Sequence, residues 1–242
     1  MALCETAMVT VIERGQGIAA AAEATGATIV IDTFRAFTTA AVLLDRGVDP
    51  LYLTEDVHIA RDLARDERAI LVGEDLGIRP EGFDLGNSPA EALAADGLAG
   101  RCVVQRSTAG TRSLIAAVRS GASPVYASSL VVATATAHAV AGRSRVTIIS
   151  AGLHGTERAA EDDLTADLIT DLLAGTGDPS GIAAAVAATE RAELLCTAPW
   201  SHPDDVAIAV GVDRYDFAME ARLDERGHVR LVPTKGGDAA TD

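Results

Sequence analysis

Lysine is almost missing from this chain. Lys235 is the only one among 20 basic residues, against 35 acidic residues and a formal net charge of −15. So acidic a molecule repels nucleic acid and anionic membrane, and neither partner is expected. Any anionic ligand would depend on local arginines, helix N-termini or a divalent cation. Cysteine is equally scarce: Cys4, Cys102 and Cys196 are odd in number, scattered, and form no Cys-x-x-Cys pair. That argues against a disulfide framework or structural zinc and fits a reducing cytoplasm. Aromatic residues make up only 3%, so the core must be built from Ala, Val, Leu and Ile. The apolar stretch 125–141 is interrupted by Ser128, Ser129, Thr134, Thr136 and His138 and is no membrane span. Glu5 and Glu13 flank the first short apolar run, so no signal peptide is expected there.

Several catalytic signatures are also missing. There is no Gly-Lys-Ser/Thr phosphate loop. Cys102 meets Arg106 too early for a cysteine-nucleophile phosphate loop, and two residues after Asp32 stands Phe34 rather than a second Asp. Leu153, not Arg, precedes His154-Gly155. Gly86-Asn87-Ser88-Pro89-Ala90 ends in Ala where a nucleophile elbow needs Gly. Water attack assisted by a metal remains open.

What the chain does contain is an alternation. Its 242 residues, 48% of them hydrophobic, are enough to bury a substantial core in a single domain spanning 1–242. Strand-length apolar runs lie at 8–12, 28–31, 51–53, 69–72, 103–104, 124–127 and 146–150. Helical stretches fall between them at 17–24, 37–44, 57–63, from 89, 111–118 and 130–140. Further helices are expected over 161–173, 181–195 and 204–210, then a strand over 228–232 and a frayed tail over 233–242. Continuous apolar strands between helices predict an α/β fold with a largely parallel or mixed sheet flanked by helices.

An internal match suggests two related halves. Gly47-Val48-Asp49-Pro50-Leu51-Tyr52 resembles Gly121-Ala122-Ser123-Pro124-Val125-Tyr126 at an offset of 74. Without gaps the offset sets Asp32 on Arg106 and predicts halves of about 28–100 and 102–175. Two βαβ units converging on similar turn chemistry would look the same. Equivalent turns after Ile31 and Gln105 would then sit at carboxyl ends of strands, where open α/β sheets place ligands.

The stretch Gly82-Phe83-Asp84-Leu85-Gly86-Asn87-Ser88-Pro89-Ala90-Glu91 combines two readings. Ser88, Pro89 and Glu91 spell a helix start with a capping box. Glycines and the oxygen donors Asp84 and Asn87 beside a helix N-terminus also suit a phosphate and its metal. Asp32 and Glu74 each follow an apolar strand. Asp32 is either a metal ligand or base, with Arg35 gripping an anion, or simply a helix cap. Glu161-Asp162-Asp163 either complement a helix dipole or hold a hard cation. Arg35, Arg106 and Arg112 are the leading anion-binding candidates, and His154 could act as a general acid.

GFDLGNSPAE is similar to the hallmark of the 2-phosphosulfolactate phosphatase family. IDTFRAFTTA at 31–40, GEDLG at 73–77, AGT at 109–111, AGLHG at 151–155, EDD at 161–163 and DRYDFA at 213–218 resemble the same family in the same order. The resemblance implies a Mg²⁺-dependent phosphatase acting on a small anionic phosphorylated substrate. It implies Asp32, Asp84, Glu161 and Asp162 as catalytic residues, and Asp32, Glu74, Asp84, Glu161 and Asp162 as the metal set. Arg35, Asn87, Ser88, Arg106, Thr108, Gly110, Thr111 and Arg112 would bind substrate. Departures are visible: Phe34 and Phe37 in the first motif, and Ala109 where relatives usually have Asn. A different phosphomonoester, such as a sugar or nucleoside phosphate, and a non-catalytic anion-binding protein are the alternatives. A homodimer stays open.

Overall fold

The computed structural model describes residues 10–235. Nine strands and ten α-helices follow one another among them: β1 (Val11–Gln16), α1 (Gly17–Ala21), β2 (Ala27–Ile31), α2 (Ala36–Asp45), β3 (Leu51–Thr54), α3 (Val57–Glu67), β4 (Ile70–Gly73), α4 (Pro89–Ala94), β5 (Val103–Arg106), α5 (Gly110–Arg119), β6 (Val125–Ser128), α6 (Ala133–Val140), β7 (Arg145–Ser150), α7 (Ala160–Leu173), α8 (Ile182–Ala187), α9 (Glu190–Thr197), α10 (Asp205–Ala209), β8 (Phe217–Leu223) and β9 (Val229–Lys235). A 3₁₀ turn, Leu130–Val132, leads into α6.

All nine strands join one mixed sheet in the order β1-β7-β2-β6-β8-β9-β3-β5-β4. β1, β7, β2 and β6 are mutually parallel, as are β3, β5 and β4. The antiparallel hairpin β8–β9 splices the two sets. Helix α2 carries the chain from the first set to the second, and α5 carries it back. Along the ladder the two sets run in opposite senses. Their carboxyl ends nonetheless meet at one cleft, so the sheet must coil strongly between them.

Strands β2, β3, β5 and β6 are buried at every residue because both their faces are covered, whereas the edge strand β1 is largely exposed. Neighbouring side chains of β2 enter different cores: Val30 packs with α2, α5 and Leu51, while Ile29 and Ile31 pack with Ile148, Ala166 and Ile169. That is the period-two alternation of a strand with no wet face. Phe83 is buried with Tyr52, Leu63 and Val104 in a third cluster beneath α3.

The repeat can be compared element by element. α2 and α5 begin 74 residues apart, as do β3 and β6. The first strands are not on that offset. Thr28 donates to the Pro124 carbonyl at 2.8 Å and Val103 to the Pro50 carbonyl at 2.9 Å. Thr28 and Val103 stand 75 apart, which moves the partner of Asp32 from Arg106 to Ser107. Side-chain chemistry agrees: Asp32 accepts from the Ala36 N–H at 3.0 Å, and Ser107 accepts from the Thr111 N–H at 2.9 Å. Such correspondence is compatible with duplication and equally with two converged units.

Other boundaries differ from expectation. β1 starts at Val11, and residues 8 and 9 lie outside the described residues. The expected helix over 181–195 is two helices, because Thr189 caps α9 by accepting from the Ala192 N–H at 3.2 Å. β8 has no counterpart among the expected strands. β9 runs through residues 233–235 of the supposed tail, whose remainder, 236–242, lies outside the described residues.

Candidate active site

Four strand ends supply the site: β2 leads to Asp32, β4 to Glu74, β5 to Ser107–Ala109 and β7 to Gly152. Two strands come from each parallel set. They enclose a cleft with a cavity volume of about 90 Å³, bordered by Asp32, Arg35, Glu74, Thr108, Arg191 and Trp200. Asn87, Phe34, Leu76 and the exposed His154 complete its rim.

The acids differ in how fully they are used. Asp162, 3% exposed, accepts from the Thr33 N–H at 2.8 Å and the Gly152 N–H at 2.9 Å. It therefore ties the β2 turn to the β7 turn. Burial, then the charges of Asp32 and Glu161, push its pKa well above the usual carboxylate range, while those two N–H groups oppose the rise. Glu74 is similarly engaged: its carboxylate accepts from the N–H and hydroxyl of Thr108 and from Gly77 N–H at 2.5 Å. Asp32 is buried and pushed up to about 6, chiefly by desolvation; the Ala36 N–H works against that and the Glu74 charge adds to it.

Glu161 is the exception. It is 3% exposed, and its Oε2 has no hydrogen-bond partner. Desolvation raises its pKa to about 7; Arg191 pulls it down, Asp32 and Asp163 push it up. It lines a second cavity together with Leu153, Thr189 and Arg191, and of these Leu153 and Arg191 also border the cleft. A buried carboxyl oxygen left unpaired is costly unless a proton or cation meets it.

Only one of the three expected arginines reaches the cleft. Arg35 is 5% exposed and its Nη1 pairs with Asp205 Oδ2 at 2.7 Å. Arg106 instead bonds Asp75 at 2.8 Å, the Glu74 carbonyl and Thr108, which pins the turn after β4 to the end of β5. Arg112, half-buried on α5, is not among the cleft residues. The second cleft cation is Arg191 on α9. Burial lowers its pKa, partly opposed by Glu161. The guanidiniums of Arg35 and Arg191 lie 5.4 and 5.5 Å from the Trp200 ring centroid. Arg191, Trp200 and Asp205 escape a reading of the sequence; a lone arginine in a helix looks like any surface cation.

The GFDLGNSPAE segment divides. Ser88 caps α4 by accepting from Glu91 N–H at 3.2 Å and itself donates to Asp205 Oδ1 at 2.5 Å. Glu91 reaches back to Gly86 N–H at 2.7 Å rather than to the cap residue. Asn87 is buried and borders the cleft, accepting from Gln105 at 3.3 Å. Asp84 stands apart from the other acids: it is exposed, outside the cleft, and accepts from Leu71 N–H at 2.8 Å. Thr111 is fully buried and bonded to Ser107. Gly110 packs so closely on Asp32 that a Cβ there would stand 2.5 Å from Oδ2.

Among the described residues, no three His, Cys, Asp or Glu side chains converge into a ready cation cage. Mg²⁺ does not need one: it is usually held by one or two carboxylates, waters and the substrate's phosphate. Asp32 and the unpartnered Glu161 oxygen suit that mode. Asp162 and Glu74 serve better as orienting groups, their oxygens already engaged by N–H donors.

Comparison with known proteins finds relatives over most of the chain. A family model described as 2-phosphosulpholactate phosphatase matches residues 14–200. A probable 2-phosphosulfolactate phosphatase of Synechococcus is 32% identical over 233 residues, 88% of each chain. One of Prochlorococcus marinus is 33% identical over 225 residues, 86% of this chain and 88% of its own. One of Thermus thermophilus is 41% identical over 157 residues, the match spanning 62% of each chain. The chain belongs to the 2-phosphosulfolactate phosphatase family.

Proposed function

We propose that the protein is a Mg²⁺-dependent phosphatase that hydrolyses a small phosphomonoester resembling 2-phosphosulfolactate. The observation that carries this is the unpartnered, buried Glu161 oxygen beside Asp32, in a chain of this family. Charge supports it. Asp32 and Glu74 border the cleft, and Glu161 and Asp162 lie near enough to Asp32 to feel its charge. The only guanidiniums at the cleft among the described residues are Arg191 and Arg35, the latter already paired with Asp205. A phosphate dianion could not settle among four carboxylates without extra positive charge.

Asp32 and Glu161 would hold the cation, which when bound supplies charge neutralisation at the phosphoryl oxygens. Arg35 and Arg191 would orient those oxygens through their free N–H groups. Asp162 keeps the β2 and β7 turns together, and Glu74 holds Thr108 toward the substrate. In the metal-free protein burial pushes the Asp32 carboxyl up to about 6. A cation bound beside it would lower that value, which suits Asp32 to ligation rather than to taking the proton of the attacking water. A second reading is favoured by Phe34, Leu76 and Trp200. A sulfonated three-carbon acid does not need so apolar a rim, whereas a sugar or nucleoside phosphate would use it.

The test is phosphate release from a panel of phosphomonoesters, with Mg²⁺ and with excess chelator. Hydrolysis that disappears with the chelator is expected. Turnover undiminished by chelation removes the metal role. No release from any ester leaves an anion-binding protein.

A further inference from the structure

Arg35 and Arg191 bring the only guanidinium groups that border the cleft among the described residues, yet they are restrained differently. Arg35 is tied to Asp205 through Nη1. Arg191 makes no hydrogen bond or ion pair among the described residues, although it is half-buried and sits near Glu161 and Asp32. What it does touch is Trp200, 5.5 Å from the ring centroid, and Arg35 lies over the same indole at 5.4 Å. Two like charges are thus gathered on one neutral ring. The Trp200 side chain is 36% exposed and lies against the turn at Gly77, where an added Cβ would come within 4.0 Å of it.

We propose that Trp200 is a positioning residue for the anion site, holding both arginines aimed into the cleft by cation–π attraction. A carboxylate in its place would hold them too, but its charge would compete with the anion they are meant to receive. An indole attracts a guanidinium through its ring face and leaves the N–H groups available to phosphoryl oxygens. The same ring separates the cleft from a neighbouring cavity that contains Arg79 and His202 and shares Arg35 and Asn87. The inference rests on reading the cleft as an anion site, but not on any particular ester.

Binding of inorganic phosphate, measured by calorimetry with and without Mg²⁺, tests it. Trp200→Leu should weaken phosphate binding by about five- to thirtyfold, the scale of two partly exposed cation–π contacts. Trp200→Phe should recover most of it. For any ester that is hydrolysed, KM should rise by a similar factor while kcat changes by less than about threefold. In an Arg191→Ala background the leucine substitution should do markedly less, because part of its target is gone. A second measurement leaves the chain intact: arginine side-chain proton signals in the parent should carry the ring-current shift of an overlying indole and keep it at saturating phosphate.

Phosphate affinity unchanged in a normally melting Trp200→Leu protein overturns the inference. So does an equal loss with and without Arg191, a ring-current shift that vanishes on binding, or a parent that binds no phosphate. Phosphate binding with the expected coupling but no ester hydrolysis would refute the phosphatase reading alone. Hydrolysis without the coupling would refute only the role of Trp200.

Discussion

The protonation of Glu161 should govern how stability depends on pH. Its carboxyl, ordinarily near 4.5, is pushed up to about 7 by burial, and Asp32 is pushed from 3.8 to about 6. In the unfolded chain both release their protons at lower pH than in the fold. The folded state therefore binds more protons across that window, and stability falls as pH rises from about 5 through 7. The metal-free protein should melt at a lower temperature at pH 8 than at pH 5. Glu161→Gln should flatten the decline by up to a few kcal/mol, since each tenfold difference in proton affinity between folded and unfolded chain is worth about 1.4 kcal/mol. Added Mg²⁺ should raise the melting temperature more at pH 8 than at pH 5. Thermal melts across that range, with and without Mg²⁺, decide it; a flat profile in the parent would contradict the desolvated state of the Glu161 carboxyl.

Among elements, the edge strand β4 shows what the GFDLG segment does. Asp84 N–H and Leu85 N–H donate to the Leu71 carbonyl, and Gly73 N–H donates to the Leu85 carbonyl. With the Asp84 side chain on Leu71 N–H, the loop covers an otherwise open sheet edge. Asp84→Ala should lower stability by about 0.5–1.5 kcal/mol, the worth of such a bond, and leave turnover within about twofold. A hundredfold loss of activity in a protein of normal stability would return Asp84 to the catalytic group. Much of the architecture was legible in the sequence: β2, α2, β3, α5 and β6 follow from apolar runs between glycine and proline turns. β8 was not, because Phe217-Ala218-Met219-Glu220-Ala221-Arg222-Leu223 is rich in helix formers, and it is extended only by pairing on both sides. The cleft was legible where strand ends mark it, at Asp32 and Glu74, while Glu161 and Asp162, read at a helix start, are buried near Asp32 and outside the cleft lining. Arg106 misled because its place in a turn locates the backbone, not the direction of a long side chain. Arg191 and Trp200 reach the cleft only through the packing of α9, which no local pattern announces.

For the molecule as a whole, the formal charge of −15 predicts a dependence on salt. Arg14–Asp167, Arg119–Glu55 and Arg222–Glu220 relieve the repulsion locally, but the acidic excess remains. Raising ionic strength from about 10 to 150 mM shortens the screening length from about 30 to 8 Å, so the melting temperature should rise by several degrees over that interval. Scanning calorimetry in sodium chloride, with sucrose as a control for non-ionic effects, would show it. A melting temperature that falls with salt would mean that attractive pairs dominate.

The central position of β8–β9 has a consequence for biosynthesis. The two strands that splice the parallel sets are the last of the described strands to leave the ribosome. Until they emerge, β6 and β3 are both open edges, each able to pair with the wrong partner. A nascent chain stalled before residue 217 would therefore present two unfinished sheets, and should depend on chaperones more than its size suggests.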